Sequence, residues 1–148
     1  MNLILCYMTL LVLTAVCSVA AQAADETPSG SGTLSESQIQ AMEQRVATIT
    51  DPAARLFFQA NIHRAKGEQE KALQALAQLN VLYAYDKRWI TRSELLSAKL
   101  YLELGMPDQA EVTARQVEFL NEGTDAAEKA RLFREKIKQV KEQSEASE

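Results

Sequence analysis

Thiol chemistry is closed to almost the whole of this chain. Its two cysteines, Cys6 and Cys17, both fall in the apolar stretch from Leu3 to Ala21, and none follows. The remainder can form neither a disulfide nor a thiolate metal site. A single histidine, His63, supplies no imidazole pair for a metal and no H-E-x-x-H motif. Glycine is equally scarce. Of five, Gly30 and Gly32 sit in a Ser/Thr-rich segment and Gly67, Gly105 and Gly123 punctuate helical patterns, so no phosphate-cradling loop or nucleophile elbow is present. An excess of positive charge is also missing: 16 Lys and Arg against 20 Asp and Glu give a net charge of −4, with the cations spread along every helix. That balance excludes nucleic acid as a partner. With no convergent nucleophile, base or ligand set, the chain is expected to be no enzyme and to hold no metal or cofactor.

Long apolar runs are missing too, with one exception. The stretch from Leu3 to Ala21 carries no charge and ends in the small-residue pattern Ala21-Gln22-Ala23, which reads as a signal peptide over residues 1–23, cleaved after Ala23. Export across the inner membrane to the periplasm is the expectation, with a membrane anchor through an uncleaved N-terminal segment as the alternative, since Met1-Asn2 makes a weak charged region. Lipidation at Cys17 is disfavoured because Val16 stands where a small residue is wanted. The membrane is therefore expected to touch this chain only through its N-terminus.

What is present is helical. With 148 residues, 47% apolar and 24% charged, the chain suits one domain. Residues 24–34 have the composition of a disordered linker, residues 35–141 form an all-α domain, and residues 142–148 fray as a tail. Ser35 and Gln38 form a capping box ahead of a stripe made by Ile39, Met42, Val46 and Ile49. Asp51-Pro52 starts a second helix that stops at Gly67. A third helix reaches about Tyr83, with Ala72, Leu76 and Leu79 inward. The connector 83–89 holds two tyrosines, Lys87, Arg88 and Trp89, and reads either as a filler between units or as a ligand platform with Arg88 in cation–π contact. A helix from Trp89 to Leu104, a stop at Gly105 and a restart at Met106-Pro107 follow. A last helix begins at Asp125, where Glu128 three residues on fits a capping box, and its inward stripe is Ala126, Ala130, Phe133, Ile137 and Val140.

The middle of this pattern is written twice. An offset of 38 lays Phe57 on Leu95, Ala60 on Ala98, Ile62 on Leu100, Gly67 on Gly105, Ala72 on Ala110, Leu76 on Ala114 and Leu79 on Val117. Repetition on this scale marks a helical solenoid: two helix-turn-helix units flanked by an N-terminal helix and a C-terminal capping helix. Ala60, Gly67, Ala72, Ala98, Tyr101, Gly105 and Ala110 are the residues expected to pack the units.

A small residue midway along the first helix, an aromatic three later, a turn glycine and an early alanine in the second helix resemble the tetratricopeptide repeat. The second unit, Ala98, Tyr101, Gly105 and Ala110, follows that pattern. The first has His63 in place of the aromatic, where a structural role is expected, and the period exceeds the family's 34 by a connector. The resemblance covers about half the chain and implies a concave groove, lined by the first helices, that holds a protein or peptide segment. By position its lining would be Phe57, Asn61, Arg64, Arg92, Leu95, Lys99 and Leu102. Asn61 stands where carboxylate-gripping members have Asn, whereas Phe57 replaces their Lys. The expectation is a monomeric exported adaptor or scaffold of the cell envelope. The alternative is a self-associating structural protein that uses the last helix or the solenoid ends.

Overall fold

A computed structural model describes residues 34–146. The expected signal peptide, all of the linker but Leu34, and the last two residues of the tail lie outside this range. Within it there are six helices and no strand, so the domain is all-α. They are α1 (Glu36–Ala47), α2 (Pro52–Ala65), α3 (Gln69–Leu82), α4 (Lys87–Glu103), α5 (Pro107–Leu120) and α6 (Asp125–Glu145).

Local chemistry sets the helix ends. The Ser35 hydroxyl accepts from the Gln38 N–H while the Gln38 side chain accepts from the Ser35 N–H, closing the expected box. Asp51 caps α2 by accepting from the Ala53 and Ala54 N–H groups at 3.0 and 3.3 Å, with Pro52 at the first helical position. The turns after α2 and α4 are built alike. Gly67 and Gly105 take φ of 75° and 71°, a left-handed conformation that only glycine adopts cheaply. There the N–H of Glu68 reaches the His63 carbonyl and that of Met106 reaches the Tyr101 carbonyl, each at 2.8 Å, as a Schellman turn requires.

Each of these short turns folds the next helix back along its predecessor, so α2 packs on α3 and α4 on α5, while α3 and α5 also meet α4 and α6. One core cluster joins Ala60 of α2, Ala72, Ala75 and Leu76 of α3, and Leu96 and Leu100 of α4. Another joins Ala98, Ala110, Ala114 and Ile137 across α4, α5 and α6. Ala60, Ala72, Ala98 and Ala110 have no exposed surface and stand inside these clusters. The leucines and isoleucine that close over them, each worth about 1.5–3 kcal/mol on full burial, are Leu76, Leu100 and Ile137. Ser93 is buried among them, its hydroxyl donating to the Leu76 carbonyl at 3.4 Å.

A third cluster gathers at the start of α2 and α4, where Trp89 packs with Ala53, Ala54 and Leu79 against Phe57 and Tyr83. Its indole N–H donates to the Asp51 carboxylate at 2.9 Å. Of the connector's aromatic residues, Trp89 therefore fills space between helices while Tyr85 stands fully in solvent. Helix α1 packs on α2: Ile39 and Met42 are half-buried and Val46 buried along it, Ile49 just beyond its end packs against the third cluster, and Lys66 pairs with Glu43 at 2.6 Å.

Three expectations about α6 are corrected. Its cap is Thr124, whose hydroxyl accepts from the Ala127 N–H, so Glu128 sits one place too late for a capping box and instead pairs with Arg131 at 2.8 Å. Its buried positions are Ala127, Ala130 and Ile137, with Val140 exposed. Its helix continues to Glu145 because Lys141 is anchored at 2.7 and 2.6 Å to Asp108 and Glu111 of α5.

Candidate functional site

The expected lining residues come from α2 and α4, which meet directly, and α4 in turn meets α6. Phe57, Asn61 and Arg64 are half-buried on α2; Arg92 and Lys99 are exposed on α4, and Leu95 and Leu102 half-buried there. Several have intramolecular commitments. Phe57 lies between two core clusters and stands 5.4 Å from the Trp89 ring and 5.7 Å from Phe58. Asn61 donates its amide to the Phe57 carbonyl one turn back at 2.9 Å, so the donor that would grip a carboxylate is occupied at home. Arg64 forms a two-pronged pair with Glu103 of α4, its Nε at 3.0 and 3.1 Å from the two carboxylate oxygens. Leu102 packs with Tyr101 and Phe133 over the second cluster. Arg92 lies 5.0 Å from the Trp89 ring centroid, as does Arg88, which holds both guanidinium groups near the start of α4.

Lys99 reports the electrostatics of this face. Its ammonium holds its proton less tightly than an ordinary lysine, first because nearby atoms partly desolvate it although the side chain reaches solvent, then because of the charges of Arg64, Lys129 and Lys136; Glu103 opposes them only in part. Cations from α2, α4 and α6 thus converge. Arg92, Lys99, Lys129 and Lys136 have no ion-pair partner among the described residues. The acidic side chains Asp108, Glu111, Glu118 and Glu128 are engaged elsewhere by Lys141, Arg115, Arg134 and Arg131.

Lys129 and Lys136 are the residues that sequence reading missed, although a signal for them exists. One constant offset of 37 lays Arg92, Leu95 and Lys99 of α4 on Lys129, Leu132 and Lys136 of α6. The same offset lays Ser93, Leu96 and Leu100 on Ala130, Phe133 and Ile137, which are buried or half-buried in both helices. α6 therefore repeats both the inward and the outward pattern of α4. Reading its apolar stripe alone concealed this.

His63 is tied into the turn after α2, its Nδ1 lying 2.6 Å from one Glu68 carboxylate oxygen while Lys71 holds the other at 2.7 Å. Lys71 first and then His63 hold the Glu68 carboxyl down at about 2. Among the described residues no three His, Cys, Asp or Glu side chains gather as a metal site, and no helix is long and apolar enough to cross a membrane. No family model matches the chain, and neither a curated protein nor a solved structure matches it.

Proposed function

We propose that this chain is a non-enzymatic protein-interaction module in which the pairs α2–α3 and α4–α5, followed by α6, stack as a tetratricopeptide-like solenoid, with the face shared by α2, α4 and α6 as its groove. The occupant is a peptide or protein segment that carries acidic groups between apolar anchors. The observation behind this reading is the recurrence of a cation, a leucine and a second cation on α4 and again on α6, with Lys129 and Lys136 acting on Lys99. Packing accounts for the repetition of Ser93, Leu96 and Leu100 in α6. It does not account for repeated cations, because like charges brought together weaken the fold that carries them. A ligand that supplies the missing negative charge does account for them, and Leu95 and Leu132 give it an apolar floor.

The charge-free N-terminal stretch and its Ala21-Gln22-Ala23 end support export, with the periplasm as the place of action and an N-terminal membrane anchor as the alternative. The test is affinity capture from the envelope fraction with the parent chain and with Arg92→Glu/Lys99→Glu. The double variant is expected to keep its circular dichroism and lose the captured partner, because exposed charges govern encounter and specificity more than stability. Equal capture by both forms would remove this face from the site.

A further inference from the structure

Away from the cationic face, the molecule exposes large apolar side chains in a repeated place. Val81 and Leu82 end α3 and Phe119 and Leu120 end α5, pairs related by the 38-residue offset. Their exposures match, at 78% and 66% for the first pair and 79% and 63% for the second, and Tyr85 beside the first is fully exposed. Both pairs flank the start of α4. Tyr83, which follows Leu82, packs with Trp89 and Ile90, and Asn121, which follows Leu120, accepts from the Thr91 hydroxyl at 2.9 Å. Large apolar side chains left this exposed on both sides of one helix start mark a place that another surface covers.

The charges beside the two pairs are opposite. Next to the first stand Lys87 and Arg88: Arg88 is paired with Asp51 at 3.6 Å and Asp86 is turned to the Trp89 N–H as the cap of α4, which leaves Lys87 as the cation without an ion-pair partner among the described residues. Next to the second, a hollow of about 390 Å³ is lined by Glu118, Glu122, Asp125 and Glu128, with Arg131 as the one cation in its wall. Glu118 and Glu128 are paired with Arg134 and Arg131, whereas Glu122 and Asp125 are unpaired among the described residues. One edge thus carries an apolar pair with a basic corner and, across the start of α4, an apolar pair with an acidic corner.

We propose that this edge binds a second copy of the same chain in a closed two-fold dimer. The Val81-Leu82-Tyr85 corner of one copy covers Phe119-Leu120 of the other, Lys87 enters the acidic hollow, and the same contact is made a second time by symmetry. The axis passes beside the start of α4, and the cationic face of each copy stays open. The monomer expected from sequence gives way to a concentration-dependent dimer.

Light scattering on the purified full chain over a concentration series tests this. The mass is expected to rise from one chain to two. Val81→Ser/Phe119→Ser, with unchanged circular dichroism, should weaken association at least about a hundredfold, since two large apolar contacts are lost. Charge exchange gives a second, independent arm. Lys87→Glu alone and Glu122→Lys/Asp125→Lys alone should each remain single chains, because like charges then meet at both contacts. Mixed, they should form a heterodimer in which both contacts are again of opposite sign. A parent chain that stays single at every concentration overturns the proposal. So does association indifferent to these changes, a mixture that fails to pair, or a mass that keeps growing beyond two chains. Flotation of the parent with phosphatidylglycerol vesicles that Val81→Ser/Phe119→Ser abolishes, without self-association, would assign the edge to a lipid surface instead.

Discussion

Glu68 shows how much one side chain can do at a turn. It accepts from Lys71 at 2.7 Å and meets His63 at 2.6 Å, so its carboxyl falls from 4.5 to about 2 in the folded chain. A carboxyl with a depressed folded value binds its proton more tightly when unfolded. Its contribution is therefore fully present above about 4.5 and is lost as pH falls toward 2. Melting curves across this range should show Glu68→Gln less stable than the parent at neutral pH, with the two curves converging near pH 2. A constant gap would mean that the pairing is not what Glu68 contributes. Asp51 acts in the same spirit. Burial raises its carboxyl, but bonds from Ala54, the Trp89 indole and Ala53, together with Arg88, bring it below the ordinary value. From sequence Asp51 was legible only as a cap and Trp89 only as a filler or platform. The bond between them depends on two helices meeting, which no local pattern encodes.

At the scale of the helix, starts and stops were the most readable feature because capping chemistry is local: Ser35, Asp51-Pro52, Gly67, Gly105 and Pro107 all act within a turn of themselves. The misreadings fall on α4 and α6. Asp86 caps α4, so Lys87, Arg88 and Trp89 open that helix instead of ending a connector. In α6, Thr124 outcompetes Asp125 as the cap, and contacts to Asp108 and Glu111 prolong a polar segment that composition alone would release. The close approach of helices at small residues can be tested directly. Ala98 has no exposed surface and lies against Ala110, Ala114 and Ile137. Ala98→Leu should therefore overpack the junction and cost about 1–3 kcal/mol, read as a lowered melting temperature. An unchanged melting temperature would mean that α4 and α5 do not approach there as described.

For the molecule as a whole, the binding proposed for the cationic face is set against stability. Lys99 is disfavoured as an ammonium by desolvation and by three neighbouring cations, so this face carries internal repulsion. Lys99→Gln should leave the melting temperature equal or higher while weakening capture of an acidic partner. Added salt should stabilise the parent more than the variant, because screening relieves a repulsion that the variant has already lost. A variant that melts lower, with the same response to salt, would make Lys99 a structural residue. Half of this face was legible from the helix spacing of α2 and α4. The α6 half was not, because an amphipathic stripe shows which side of a helix is inward but not which neighbouring helix its outward side stands beside.

The order of helix contacts also bears on how the chain reaches this state. Among the described residues, every pair of packed helices is adjacent in sequence or separated by one helix. No distant segments must find each other before native contacts form, and topologies of this kind fold on the order of microseconds to milliseconds. Each hairpin can form as soon as its own residues are free. A chain delivered through a membrane as an unfolded thread would thus have its first units assembled before its last residues arrive, leaving little time for the apolar ends of α3 and α5 to be captured in the wrong company.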